Sequence, residues 1–181
     1  MEWTGATYAD IPTVEVDTWV AAAPEAVWAT VADPTLMPSM SEELQTVEWL
    51  DGRARPEVGA RFRGSSKHPA LGEWSTVSEI VECAEPEVFA WAVEDVENPT
   101  AVWRYTLEPE GDGTRLRQWM QMGPGRSGLS LAIDEMPDKE QKIVFVRMRE
   151  FEKNMSASLA GIKARVEAAS APAGSTPAAG A

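Results

Sequence analysis

From Asp138 to about Ala168 the chain carries one long apolar stripe. Val144, Met148, Phe151, Met155, Leu159, Ile162 and Val166 recur at steps of four, three, four, four, three and four. Such steps keep returning to one side of an α-helix. Most residues between them are polar or small, among them Arg147, Glu150, Asn154 and Lys163. The stripe therefore predicts a helix with a single buried face, about 45 Å long at ~1.5 Å per residue. Burying that stripe at roughly 1.5–3 kcal/mol per side chain contributes on the order of 10–20 kcal/mol, so the helix needs a broad apolar partner.

The rest of the chain supplies that partner as strands. Thr13 to Val20 alternates, with Val14, Val16, Thr18 and Val20 opposite Glu15, Asp17 and Trp19. Pro24 suits a first helical position, and Ala26 to Ala32 reads as a short helix that Asp33–Pro34 stops. Thr35 to Glu43 reads as a turn of helix or a loop. From Leu44 onward the period becomes two. Val47 and Trp49 share a face, as do Phe62, Gly64 and Ser66 opposite Arg61 and Arg63. Trp74 to Cys83 forms a further strand, followed by one that places Phe89, Trp91 and Val93 together. Ala101, Trp103, Tyr105 and Leu107 share the next face, and Leu116, Gln118, Met120 and Met122 the last. Asp51–Gly52, His68 to Gly72, Glu85–Pro86, Asn98–Pro99 and Gly111–Asp112–Gly113 separate these runs as turns. Ser127 to Met136 is a short amphipathic segment cut from the long helix by Pro137.

Strands joined by hairpin turns are antiparallel neighbours. The class is therefore α+β: a bent antiparallel sheet of about seven strands around a long C-terminal helix, with two short helices after the first strand. Residues 1–11 are expected to be a poorly ordered extension from which Trp3 and Tyr8 fold back onto the domain. Residues 12–168 form the domain. Residues 169–181, rich in Ala, Pro, Gly and Ser, are expected to be disordered.

Composition narrows the function. Sixteen basic residues against 29 acidic ones give a net charge of −13, which argues against nucleic acid or an anionic membrane as partner. No apolar run reaches the ~18 residues of a membrane span. A lone cysteine, Cys83, excludes an internal disulfide and fits a cytoplasmic protein.

Candidate chemistry is sparse. With one histidine and one cysteine there is no His/Cys metal set, and the acids fall on presumed solvent faces, so no metal is expected. "GPGRSG" at 123–128 does not follow a buried strand as a phosphate loop would, and no other nucleotide motif occurs, so no cofactor is expected. His68, beside Pro69, reads as a surface turn residue, and Cys83 as a small core or edge residue. No catalytic set stands out.

The aromatic and Met-rich inner face is more informative. A straight helix cannot fill the whole hollow of a bent sheet, so part of that face should line a cavity. The candidate lining is Phe62, Trp74, Thr76, Phe89, Trp91, Trp103, Tyr105, Gln118, Met120, Met148, Phe151 and Met155. Ser66 and Ser78 are further polar positions on the same faces. Tyr105 and Gln118 lie near the centres of their strands, either bonding to a ligand or serving as buried structural partners.

Several stretches carry a family resemblance: "AAAPEAVWATVADP" at 21–34, "VEWLDG" at 47–52, "GEWSTVSEIVECAEP" at 72–86, "WRYTLEPEGDGTRL" at 103–116 and "NMSASLAGIKARVE" at 154–167. Over roughly residues 12–168 the chain resembles the SRPBCC superfamily, which includes START domains and the birch-pollen allergen. Within it, the chain is most similar to the bacterial polyketide cyclase/dehydrase-like branch. Met40, in "PSMS", departs from the tryptophan that many relatives carry there. The resemblance implies a helix-grip fold and a cavity for a small hydrophobic molecule. The primary expectation is a binding domain for such a ligand. A cyclase/dehydrase-type enzyme using Tyr105 to move protons is the alternative. A protein-interaction domain displaying Trp19 and Trp119 is the third reading.

Overall fold

The computed structural model describes residues 1–170. Strand β1 (Thr13–Val20) leads through α1 (Pro24–Val31) and a 3₁₀ segment (Pro34–Met40) into β2 (Leu44–Trp49). Strands β3 (Arg61–His68), β4 (Gly72–Ala84), β5 (Val88–Val93), β6 (Ala101–Glu110) and β7 (Gly113–Met122) follow. Two helices end the described chain, α2 (Gly128–Glu135) and α3 (Glu140–Ser170). The seven strands form one antiparallel sheet in the order β1-β7-β6-β5-β4-β3-β2. This α+β arrangement, with one long helix held by the sheet, is the helix-grip fold.

Strands β2 to β7 are successive hairpin partners, as the turn signals predict. Strand β1 is not part of that succession. It pairs with β7 over its whole length, Val14 opposite Met120 and Val20 opposite Thr114, so β1 and β2 form opposite edges. The short helices carry the chain from one edge to the other.

Helix α3 packs mainly against β1, with further contacts to α1 and the Pro34–Met40 segment. Its C-terminal half joins a core that includes Val20, Val27, Phe89, Leu116, Leu159 and Ile162. Its N-terminal half joins a second cluster of Val14, Met120, Met122, Val144, Met148 and Met155. Val16, Ala101 and Trp103 touch both.

Three expectations shift. Pro137–Lys139 forms a separate 3₁₀ turn, so α3 starts at Glu140 rather than Asp138. Residues 169 and 170 still belong to that helix; the rest of the predicted tail lies outside the described residues. The N-terminal extension is tied to the domain rather than loose: Trp3 and Tyr8 fold back as expected, onto partners in and beside α3. The Tyr8 amide donates to Glu140 Oε1 at 3.0 Å, and its hydroxyl donates to the Gly125 carbonyl at 2.7 Å. Trp3 packs edge-on against Phe145, ring centroids 5.0 Å apart.

Neither outward tryptophan offers an open apolar patch. Trp19 is half-buried, with its indole N–H on the Glu110 carbonyl and Lys163 Nζ 5.3 Å from the ring centroid. The guanidinium of Arg104 lies 5.7 Å from the Trp119 ring centroid. Trp19 also explains Gly113: a Cβ there would sit 2.6 Å from the indole and closer still to the Val20 carbonyl. Gly113→Ala is expected to cost about 1–3 kcal/mol in urea denaturation, as an overpacked site does. An unchanged midpoint would mean that the β1–β7 edge yields freely.

Candidate ligand cavity

Between sheet and helix lies a cavity of about 880 Å³. Alternation on the strands builds its sheet wall: Phe62 from β3, Trp74, Thr76 and Ser78 from β4, Trp91 from β5, Trp103 and Tyr105 from β6, Gln118 and Met120 from β7. Helix α3 supplies Phe151, Met155, Ser158 and Ile162 opposite. Exposed Leu71, Glu94, Asp95 and Leu131 mark the open side.

The aromatic wall is a connected set. Trp91 and Trp103 stack nearly parallel, 13° apart with centroids separated by 6.3 Å. Phe151 meets Trp103 edge-on at 5.4 Å, Tyr105 lies 5.9 Å from Trp91, and Phe62 lies 6.2 Å from it. Offset and edge contacts of this kind favour a fixed, rigid surface.

Two polar side chains interrupt that surface. Tyr105 and Gln118 are directly opposite in the β6–β7 register, and both point inward. They are 3% and 5% exposed. The Gln118 amide oxygen has no hydrogen-bond partner among the described residues. Tyr105 makes no side-chain hydrogen bond among them, and burial pushes its phenol far above the ordinary tyrosine range. Buried polar groups normally find partners, so the orphaned Gln118 oxygen is an exception that calls for a cause.

A charged cluster borders the cavity where the start of β2 meets α3. Arg147 is 7% exposed and grips Glu43 with two nitrogens, at 2.8 Å and 2.7 Å. The same guanidinium donates to Glu150 at 3.0 Å and lies 4.1 Å from the Phe151 ring centroid. Asn154 donates to Glu43 at 2.8 Å. His68 ends β3 with its Nε2 3.6 Å from Glu150. Glu43, His68 and Glu150 thus bring one ligand atom each to within 4.8 Å of one another, a grouping able to hold a cation. The Arg147 guanidinium already lies on both carboxylates.

The profile described as "Polyketide cyclase / dehydrase and lipid transport" matches residues 12–167. The chain belongs to this family. Among solved structures, the Polyketide_cyc-like protein Cgl2372 from Corynebacterium glutamicum is 27% identical, with a TM-score of 0.63 over 87% of this chain and 92% of that one. TTHA0849 from Thermus thermophilus is 19% identical, with a TM-score of 0.63 over 88% of this chain and all of that one. The di-domain ARO/CYC StfQ of the steffimycin biosynthetic pathway is 16% identical, with a TM-score of 0.68 over 87% of this chain and 51% of that one. The last two likenesses are likenesses of fold. No curated protein matches the chain. Among the described residues, no helix is long and apolar enough to cross a membrane.

Of the residues that sequence alternation puts forward as lining for this polyketide cyclase/dehydrase and lipid transport fold, Phe89 and Met148 lie away from the cavity. Phe89 is fully buried against Trp28 of α1, ring centroids 6.2 Å apart, because α1 plugs that end of the sheet. Met148 is turned toward Val14 and Val144 in the second core cluster. Both are packing residues.

The expectations for His68 and Arg147 also need correction. His68 is not a free turn residue: it continues the inward alternation of Phe62, Gly64 and Ser66, and its side chain is only 16% exposed. Arg147 is not on the solvent side of α3. It lies three residues after Val144 and four before Phe151, on the apolar stripe itself. Its spacing is the available signal, overridden by its charge. The acids Glu43 and Glu150 likewise leave the solvent face for this cluster. Met40, the position that departs from tryptophan, lines the cavity and accepts a hydrogen bond from Ser158 at 2.8 Å through its carbonyl.

Proposed function

We propose that this protein binds a small, largely apolar molecule between the sheet and α3, with one polar group of that molecule held by Tyr105 and Gln118. The orphaned Gln118 amide carries the reading. Leaving a buried acceptor unpaired costs ~1–3 kcal/mol, and a leucine there would avoid that cost. A ligand hydroxyl or amide would supply the missing bond. The aromatic wall would take up the apolar body of the ligand, and about 880 Å³ suits a molecule of drug or lipid-fragment size. Tyr105, protonated at neutral pH like any tyrosine, can donate a hydrogen bond to the ligand's polar group.

Native mass spectrometry after mild purification is expected to find an added small molecule, and Nile red is expected to bind saturably with a blue-shifted emission. Absence of both would end the proposal. Gln118→Leu is expected to gain about 1 kcal/mol in urea denaturation, because the orphaned oxygen is removed, while retaining less of the co-purified molecule. A loss of stability would instead identify Gln118 as a structural residue.

A further inference from the structure

The charges around the cavity are unevenly paired. Its lining includes three acids, Glu43, Glu94 and Asp95, and two cations, Arg126 and Arg147. Arg147, sheltered from solvent, is committed to Glu43 and Glu150, while Arg126 pairs with Asp134 on the exposed rim. Glu94 and Asp95 stand exposed on the open side without an ion-pair partner among the described residues; Asp95 accepts only the Glu97 amide, at 2.9 Å. Among the described residues, no lysine or histidine lines the space. An entering carboxylate would pass two unneutralised acids, on a chain of net charge −13, and lose its water in an interior whose one cation among the described residues, Arg147, is already held by Glu43 and Glu150.

The centre of the cavity adds a second, independent requirement. Gln118 Oε1 accepts hydrogen bonds and cannot donate, so its partner must bring a hydrogen. Tyr105, opposite, donates as well as accepts. One hydroxyl satisfies both, giving its hydrogen to Gln118 and taking that of Tyr105. A carboxylate or an ether could take the Tyr105 hydrogen but would leave Gln118 Oε1 unpaired.

We infer that the cavity selects an uncharged apolar molecule bearing an O–H or N–H donor, such as a phenol or alcohol, and rejects carboxylates. The inference rests on the binding reading above and assigns its ligand class.

Displacement of Nile red at neutral pH by 2-naphthol, 2-naphthoate and 2-methoxynaphthalene tests it, because one ring system carries all three groups. 2-Naphthol is expected to compete at least about tenfold better than 2-naphthoate. It is expected to beat 2-methoxynaphthalene by about threefold to tenfold, the contribution of one hydrogen bond. Gln118→Leu should close the gap between naphthol and methoxynaphthalene while leaving naphthoate excluded. Naphthoate binding as tightly as naphthol would overturn the charge selection. Equal binding of naphthol and methoxynaphthalene to the unaltered protein would overturn the donor requirement. Failure of Nile red to bind at all would remove the binding reading itself, a distinct result. The comparisons on the unaltered protein decide the matter even if the variant fails to fold.

Discussion

Leu159→Asp is expected to abolish the folded state. Leu159 is 1% exposed and sits in the core between the C-terminal half of α3 and the sheet, away from the cavity lining. Truncating such a leucine costs ~2–5 kcal/mol through lost burial and the void left behind. A carboxylate there adds the cost of a buried charge without a partner. The sum approaches or exceeds a typical total stability of ~5–15 kcal/mol. Far-UV circular dichroism and urea denaturation should show a largely unfolded chain at room temperature. Met155→Asp should be milder. Met155 is also buried, but it borders the cavity, where water can reach the new carboxylate. A melting temperature for Leu159→Asp close to that of the unaltered protein would mean that α3 does not hold the fold together.

Arg147→Met is expected to be the next most damaging change. The side chains of Arg147 and Glu43 are 9% and 16% exposed. Removing the guanidinium leaves Glu43 with Asn154 as its remaining partner and Glu150 without its bond to Arg147. Breaking one side of a buried pair costs about 3–5 kcal/mol, mainly because the other charge is stranded. Glu43→Gln in the same chain removes that stranded charge and should recover most of the loss. A double-mutant cycle in urea therefore yields a coupling energy of the order of 2 kcal/mol or more. Because the pair is sheltered from solvent, high salt should change this coupling little. A single mutant as stable as the unaltered protein would show that water reaches Glu43 and replaces its partner.

These two residues also show how much of the protein is legible in its sequence. Leu159 announces itself, since seven apolar side chains at helical spacing leave no other face to bury. Arg147 lies on the same stripe but reads as solvated, because a charge buries only with partners, and its partner Glu43 is 104 residues away. His68 reads as a turn residue for a similar reason: the turn signal of Pro69 masks an alternation that continues one residue further. The N-terminal extension reads as loose because Tyr8 finds its partners near residues 125 and 140, across the whole chain.

The cavity divides in the same way. Inward alternation alone places Tyr105 and Gln118 on facing positions of neighbouring strands, and hairpin succession makes them partners. Whether they bond to each other, to α3 or to nothing depends on where the helix lies. Phe89 and Met148 share faces and chemistry with residues that do line the space. They differ because α1 plugs one end of the sheet and because the helix is rotated toward β1.

By itself, the order of residues determined the elements, their buried faces and the hairpin pairing of β2 to β7, because burial period and turn geometry are local properties of a polymer in water. The tertiary structure alone decided that β1 closes on β7, which inward residues border empty space, and which charges meet. Those outcomes depend on the placement of one rigid helix over a curved surface, and no local run of residues encodes that placement.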